Sequence, residues 1–336
     1  MNWAKGYTAT YYMTRVDPST WRDVERYELT GGSIKRSADG LRESATVDCT
    51  RYPQGVERWV RIYLDTQQGG ASDHVPLFTG LATSPGESVD GNIRASSLEC
   101  YSVLKPADDV KLLRGWYAPQ GANGGTVIRD LLSVTPAPVT VADGAPVLAA
   151  HVIAENNETR LTMVNKILTA INWRIRIGGD GGISVEPPSD TPAATFDPLE
   201  NDVIETHIDI KTDWFSLPNV YVAIQDDLTG IARDDDPDSP LSTVSRGREV
   251  WQQESGCKLA DNENIASYAR RRLKEAQRAW FSASYNRRYY PNVIPGDTVR
   301  IHYPAQGLDG NYVVTSQTVA LTHGATTSEE IKAEAT

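Results

Sequence analysis

The stretch Trp59-Val60-Arg61-Ile62-Tyr63-Leu64 constrains this chain most. Trp59, Arg61 and Tyr63 fall on one side and Val60, Ile62 and Leu64 on the other. That is the period-two pattern of a strand with one apolar face. The pattern recurs through residues 7–105. Tyr7, Ala9 and Tyr11 alternate with Thr8, Thr10 and Tyr12, and further runs are Ser33 to Arg36, Thr46 to Thr50, Val75 to Gly80 and Ile93 to Cys100. Turn clusters such as Gln68-Gly69-Gly70 separate them, as in a barrel or sandwich.

Residues 106–190 change character. Thr126 to Ser133 is expected to form a short helix after the turn Asn123-Gly124-Gly125. Leu161, Val164, Leu168 and Ile171 make one apolar stripe of a helix that starts at Asn156 or Asn157 as N-cap and ends near Asn172. Residues 173–177 and 183–185 flank Gly178-Gly179-Asp180-Gly181-Gly182, a hairpin by alternation and turn chemistry. A linker at 186–192 follows. From residue 193 the strand pattern returns at Val203 to Ile210, Asn219 to Gln225, Thr298 to Tyr303 and Tyr312 to Leu321. A helix is expected over 261–279, capped by Asp261. The segment from Ser328 to Thr336 is expected to be a short helix or a frayed end.

The expected fold class is therefore mainly β (α+β). Two small β-barrels, residues 1–105 and 191–336, are separated by an α+β unit at 106–190, with the helix 261–279 in the second barrel region. A chain of 336 residues is long enough for this arrangement.

Charge narrows the function. With 44 Asp+Glu against 33 Lys+Arg, the net charge is -11, which suits neither phosphate neutralisation along DNA nor an anionic membrane surface. The three cysteines, Cys49, Cys100 and Cys257, are far apart and show no zinc or disulfide spacing. No apolar run approaches 18 residues, so neither a transmembrane helix nor a signal peptide is expected.

Catalytic patterns are missing. There is no G-x-S-x-G elbow and no P-loop, and the glycines at 178–182 open no helix. His74, His151, His207, His302 and His323 show no H-x-x-x-H spacing. Asp234, Asp235, Asp236 and Asp238 carry oxygen ligands, but Pro237 interrupts the run and no Glu follows at EF-hand spacing, so a solvated loop is expected. No catalytic residue, cofactor or metal is assigned. Two features point instead to contacts with other proteins. Arg270-Arg271-Arg272 gives the helix a cationic face, which reads as a solvated surface or as suited to an acidic neighbour, with nucleic acid as a further option. Amphipathic aromatics dominate, 15 Tyr and 8 Trp against 4 Phe, and Trp59, Tyr63, Tyr289 and Tyr290 are candidate interface residues, with barrel-wall packing the other reading.

Tyr289-Tyr290-Pro291-Asn292-Val293-Ile294-Pro295-Gly296-Asp297-Thr298-Val299 and Gly307 to Val314 resemble the last barrel of tailed-phage baseplate or tail-tip hub proteins. There a P-G-D-x-V turn precedes a strand and a G-x-Y-x-V segment begins the next. Residues 260–276 resemble the helix that precedes them, and Val75 to Gly80 a strand near the end of the first barrel. The resemblance covers the whole chain in order. It implies two related barrels per subunit and a homotrimer whose six barrels form a pseudo-sixfold collar, related to type VI secretion spike hubs. Such a collar joins the sixfold tail tube to a threefold spike or fibre in the virion, after synthesis in the host cytoplasm. The implied partners are the tail tube, distal tail, tape measure and spike or fibre proteins. DNA passes through without specific binding, an acidic lumen being compatible with that passage, and no membrane insertion is implied. Because the chain stops soon after the second barrel, no lytic or receptor-binding extension is expected. Two other readings stay open: a tail-associated cell-wall hydrolase or peptidase, and a receptor- or carbohydrate-binding tail module.

Overall fold

The computed structural model describes residues 1–333 except 51, 53–56, 84, 85, 91, 92, 190, 201, 213, 258, 260–262, 278–280 and 325. The first part of the chain forms β1 (Thr8–Asp17), β2 (Arg22–Ser37), β3 (Glu43–Cys49), β4 (Arg58–Gln68), β5 (Ala71–Ala82), β6 (Gly86–Asp90) and β7 (Ile93–Ser102). Hydrogen bonding runs β1-β4-β5-β7-β3-β2, and the β1–β2 pairing returns it to its start. Six strands thus close into a ring, which leaves no free edge among them; β6 is attached through β7. The alternation has its expected meaning. Val60, Ile62 and Leu64 of β4 share a core with Val47, Leu77, Phe78 and Leu98.

The middle part contains α1 (Lys105–Asp109), β8 (Tyr117–Ala118), α2 (Gly124–Leu131), β9 (Val139–Val141), β10 (Val152–Ile153), α3 (Arg160–Ile171), β11 (Arg174–Ile177) and β12 (Ile183–Glu186). The expected hairpin is the β11–β12 pair, with β9 added in parallel to β12. α2 begins at Gly124, not Thr126. Asn123 caps it by accepting from the Thr126 N–H at 2.9 Å, and a Cβ on Gly124 would lie 2.8 Å from Ile171 of α3. The N-cap of α3 is Thr159, which accepts from the Thr162 N–H at 3.1 Å, rather than Asn156 or Asn157. Asn157 instead takes a left-handed conformation, φ 64°, in the turn before the helix. Ile128 and Leu131 of α2 share one core with Val164, Ile167 and Leu168 of α3 and with Ile175 and Val185 of the sheet.

The last part contains β13 (Ala194–Phe196), β14 (Ile204–Thr212), β15 (Val220–Gln225), β16 (Leu228–Arg233), α4 (Thr243–Arg246), β17 (Trp251–Ser255), α5 (Ile265–Gln277), β18 (Phe281–Arg287), β19 (Thr298–Tyr303), β20 (Leu308–Ala320) and β21 (Thr327–Ala333). Six of these strands follow the path β13-β19-β20-β21-β18-β14, whose two ends do not pair with each other among the described residues. The other three form a separate sheet, β16-β15-β17. The helix expected in the second β-region packs on this small sheet: Tyr221, Ala223 and Ala232 meet Tyr268, Ala269 and Leu273 of α5. Gly230 permits the approach, since a Cβ there would sit 2.4 Å from the Ile265 carbonyl oxygen. The expected cap Asp261 and helix positions 261, 262, 278 and 279 lie outside the described residues. At the described start, Asn264 accepts from the Ser267 N–H at 2.9 Å.

The expectation of a helical or frayed end from Ser328 is overturned as far as residue 333, and positions 334–336 lie outside the described residues. Residues 327–333 form β21, which pairs with both β18 and β20. Its buried face is Thr327, Glu329, Ile331 and Ala333.

The ring and the second sheet are one continuous sheet, because β2 pairs with β20 from Ser33↔Ala320 to Ser37↔Ser316. A single row of register partners crosses that seam: Glu43, Arg36, Gln317, Glu329 and Tyr285, on β3, β2, β20, β21 and β18. All five are buried.

Candidate interaction surfaces

The three arginines of α5 have different surroundings. Arg271 lies against Tyr268 and bonds Glu263 at 3.0 Å and Glu275 at 3.3 Å. Arg272 bonds Glu254 at 3.0 Å and Glu275 at 2.6 Å. Burial alone would raise the Glu254 carboxyl. Hydrogen bonds donated by the Tyr221 and Tyr268 hydroxyls and by Arg272 hold it below the usual range instead. Arg272 therefore ties α5 to its own sheet, whereas Arg271 is held by residues of the helix and of the segment before it. Arg270 is exposed and, among the described residues, donates only to the Ala266 carbonyl, at 3.4 Å.

The four aromatic candidates all make contacts within the chain. Trp59 is tilted against Trp21, centroids 5.6 Å apart, and packs on the middle unit. Trp21 donates its indole N–H to the Asp180 carbonyl at 2.9 Å, as Arg61 does at 3.0 Å, while Thr79 donates to the Gly179 carbonyl at 2.8 Å. The glycine-rich turn at 178–182 is thus a hairpin turn docked on the ring. Tyr63 stacks on His74 at 4.3 Å and on Tyr12 at 5.3 Å, and donates to Asp23 at 2.6 Å. Tyr289 and Tyr290, being consecutive, separate to two cores. Tyr289 joins the ring core and meets Trp3 edge-on at 5.8 Å, and Tyr290 meets Phe196 of the second sheet at 5.6 Å.

The seam row carries a continuous polar network. Arg287 bonds Glu329 at 2.7 Å, Tyr285 donates to Glu329 at 2.6 Å, and Gln317 donates to Glu329 at 2.6 Å and to the Val293 carbonyl at 2.8 Å. Arg36 donates to Gln317 at 3.4 Å and lies 3.9 Å from Glu43. Burial pushes the Glu43 carboxyl up to about 8. The acidic loop stabilises itself: Asp234 accepts from Ser239 at 2.7 Å and from Gln277 at 2.9 Å, and Asp236 from the Asp238 N–H at 2.9 Å. Among the described residues, no group of three or more His, Cys, Asp or Glu is placed to hold a metal ion.

Sequence reasoning missed the exposed apolar side chains of the loops, above all Leu113, Leu199 and Phe215. Loop residues have no periodicity, so nothing in the sequence marks them as exposed.

No protein-family model and no curated protein matches the sequence. Solved structures do match. A tail protein from Neisseria meningitidis MC58 superposes with a TM-score of 0.71 over 98% of this chain and 97% of its own, at 17% identity. The chain has the fold of a phage-type tail protein. The 43 kDa tail protein of prophage MuSo2 from Shewanella oneidensis gives a TM-score of 0.66 over 96% of this chain and 97% of its own, at 11% identity. The E. coli c3393 protein, a component of the type VI secretion system, gives 0.53 over 92% and 74%, at 9% identity. At these identities the tail-protein likeness is one of fold.

Proposed function

We propose that this chain is the structural hub of a phage tail tip or baseplate. Three copies form a ring that joins the sixfold tail tube to a threefold central spike or fibre and leaves a channel for DNA. The observation that carries this reading is the near end-to-end fold likeness to the Neisseria and Shewanella tail proteins. The architecture supports it. Each copy sets two six-stranded units side by side in one sheet, so three copies present six walls to a sixfold tube. A net charge of -11 suits a lumen that repels phosphate. The partners are then the tail tube, distal tail, tape measure and spike or fibre proteins, and the protein resides in the virion tail. We assign it no catalytic step.

Electron microscopy of the purified chain at high concentration, and of tails carrying it, tests the reading. The expected result is a threefold ring with six β-walls around a central opening, at the tip of the tail. A hub position occupied by another protein, or an assembly without a threefold axis, overturns it.

A further inference from the structure

The middle unit carries a groove of about 460 Å³, lined by Leu112, Leu113, Trp116 and Leu131. Its rim is apolar and open: Leu113 is 84% exposed, and Tyr117 and its cross-strand neighbour Ile153 are 54% and 53% exposed. Lys111 and Arg160 also line it, with Asp130 as a carboxylate lining. Neither cation is in an ion pair among the described residues. Among the described residues, Arg160 donates only to the Asp130 and Leu131 carbonyls, both at 3.3 Å, and its buried Nε has no partner. In a chain with excess acid, two such cations beside an apolar groove call for a ligand with an apolar group next to a carboxylate.

The same chain displays that combination elsewhere. Leu199 is 93% exposed and is followed by the exposed Glu200, which forms no ion pair among the described residues. Asp197 accepts from the Leu199 N–H at 2.8 Å, and its carbonyl accepts from the Glu200 N–H at 3.1 Å. With Pro198 fixing the backbone between them, this turn holds the leucine outward as a preformed knob.

We infer that the segment Asp197–Glu200 of one copy docks in the groove of a second copy, Leu199 among Leu112, Trp116 and Leu131 and Glu200 facing Lys111 and Arg160. Groove and knob are different surfaces, so the contact is heterologous, the kind that repeats around a ring. The inference rests on the ring proposed above and names one of its contacts.

Site-directed cross-linking tests it. Cys49, Cys100 and Cys257 are buried, so a thiol introduced at an exposed position is the reactive one. Leu199→Cys and Leu113→Cys chains are mixed at the highest soluble concentration and treated with a short bismaleimide. A heterodimeric product is expected, with none from Leu113→Cys mixed with Val24→Cys, an exposed control. Lys111→Glu in the groove copy should lower the yield about tenfold, and Glu200→Lys in the knob copy should restore it. If light scattering finds the trimer and the cross-link does not exceed the control, this contact is wrong and the ring stands. If the chain does not self-associate, ring and contact both fall.

Discussion

Arg287 and Glu329 face each other 2.7 Å apart across β18 and β21, with side chains 1% and 0% exposed. A buried pair is tolerable only when its remaining hydrogen-bonding capacity is met. Here Tyr285 and Gln317 complete the carboxylate, and Arg287 also donates to the Arg288 carbonyl at 3.0 Å. Removing one partner strands the other charge in the core. Glu329→Ala and Arg287→Met are each expected to cost about 3–5 kcal/mol, read as lower urea midpoints. The double variant Arg287→Met/Glu329→Met should recover part of the loss. A double variant that loses as much as the two single variants together would show that the charges are not coupled.

Glu43 ends the same row on the ring side. Its Oε1 has no hydrogen-bond partner among the described residues, Arg36 is 3.9 Å away, and Arg42 shares with it a small cavity of about 20 Å³ beside Ile175 and Ile177. Burial lifts its pKa from 4.5 to about 8. Between those values the native chain keeps a proton that the unfolded chain has lost, so stability falls as pH rises, by at most about 1.4 kcal/mol per unit, and levels off above the folded value. Glu43→Gln should flatten the profile between pH 5 and 8 and leave the variant the more stable at pH 8. Urea midpoints at pH 5, 6.5 and 8 check this, and parallel profiles would contradict it.

The limits of the sequence are physical. β4 was legible because Val60, Ile62 and Leu64 face a core and alternate with amphipathic residues. β21 was not, because its buried face includes Glu329. A charged residue marks a core strand only once its partner is known, and Arg287 lies 42 residues upstream. Likewise the apolar run of β15 announces a strand without saying which sheet it joins. Arg272 looks like part of an outward cationic face until Glu254 arrives from β17. Trp59 and Tyr289 have the composition of an interface, and each makes a contact between parts of one chain, Trp59 with the middle unit and Tyr289 with the ring core.

Gly179 sets the docking of the middle unit on the ring. An added Cβ would lie 1.9 Å from the Pro76 carbonyl oxygen, which is backbone and cannot swing aside. Gly179→Ala must therefore lift the turn and loosen the bonds from Thr79, Arg61 and Trp21. A loss of about 1–3 kcal/mol is expected, together with a red-shifted tryptophan emission as Trp21 and Trp59 become wetter. An unchanged spectrum would place the tolerance of this junction elsewhere.

Charge reversal along α5 separates docking from folding. Arg271→Glu would put a carboxylate between Glu263 and Glu275, and Arg272→Glu would put one beside Glu254 and Glu275. Each exchanges attraction for repulsion at part-buried positions and should cost about 1–2 kcal/mol, visible as faster amide exchange in α5. Arg270→Glu disturbs only an exposed side chain and should change stability by less than about 0.5 kcal/mol. A loss of assembly in the first two variants would therefore report a loosened helix. Arg270→Glu is the informative substitution: if this face meets an acidic neighbour in the tail, incorporation falls while the thermal melt stays unchanged. Normal incorporation of Arg270→Glu excludes an electrostatic role for that face.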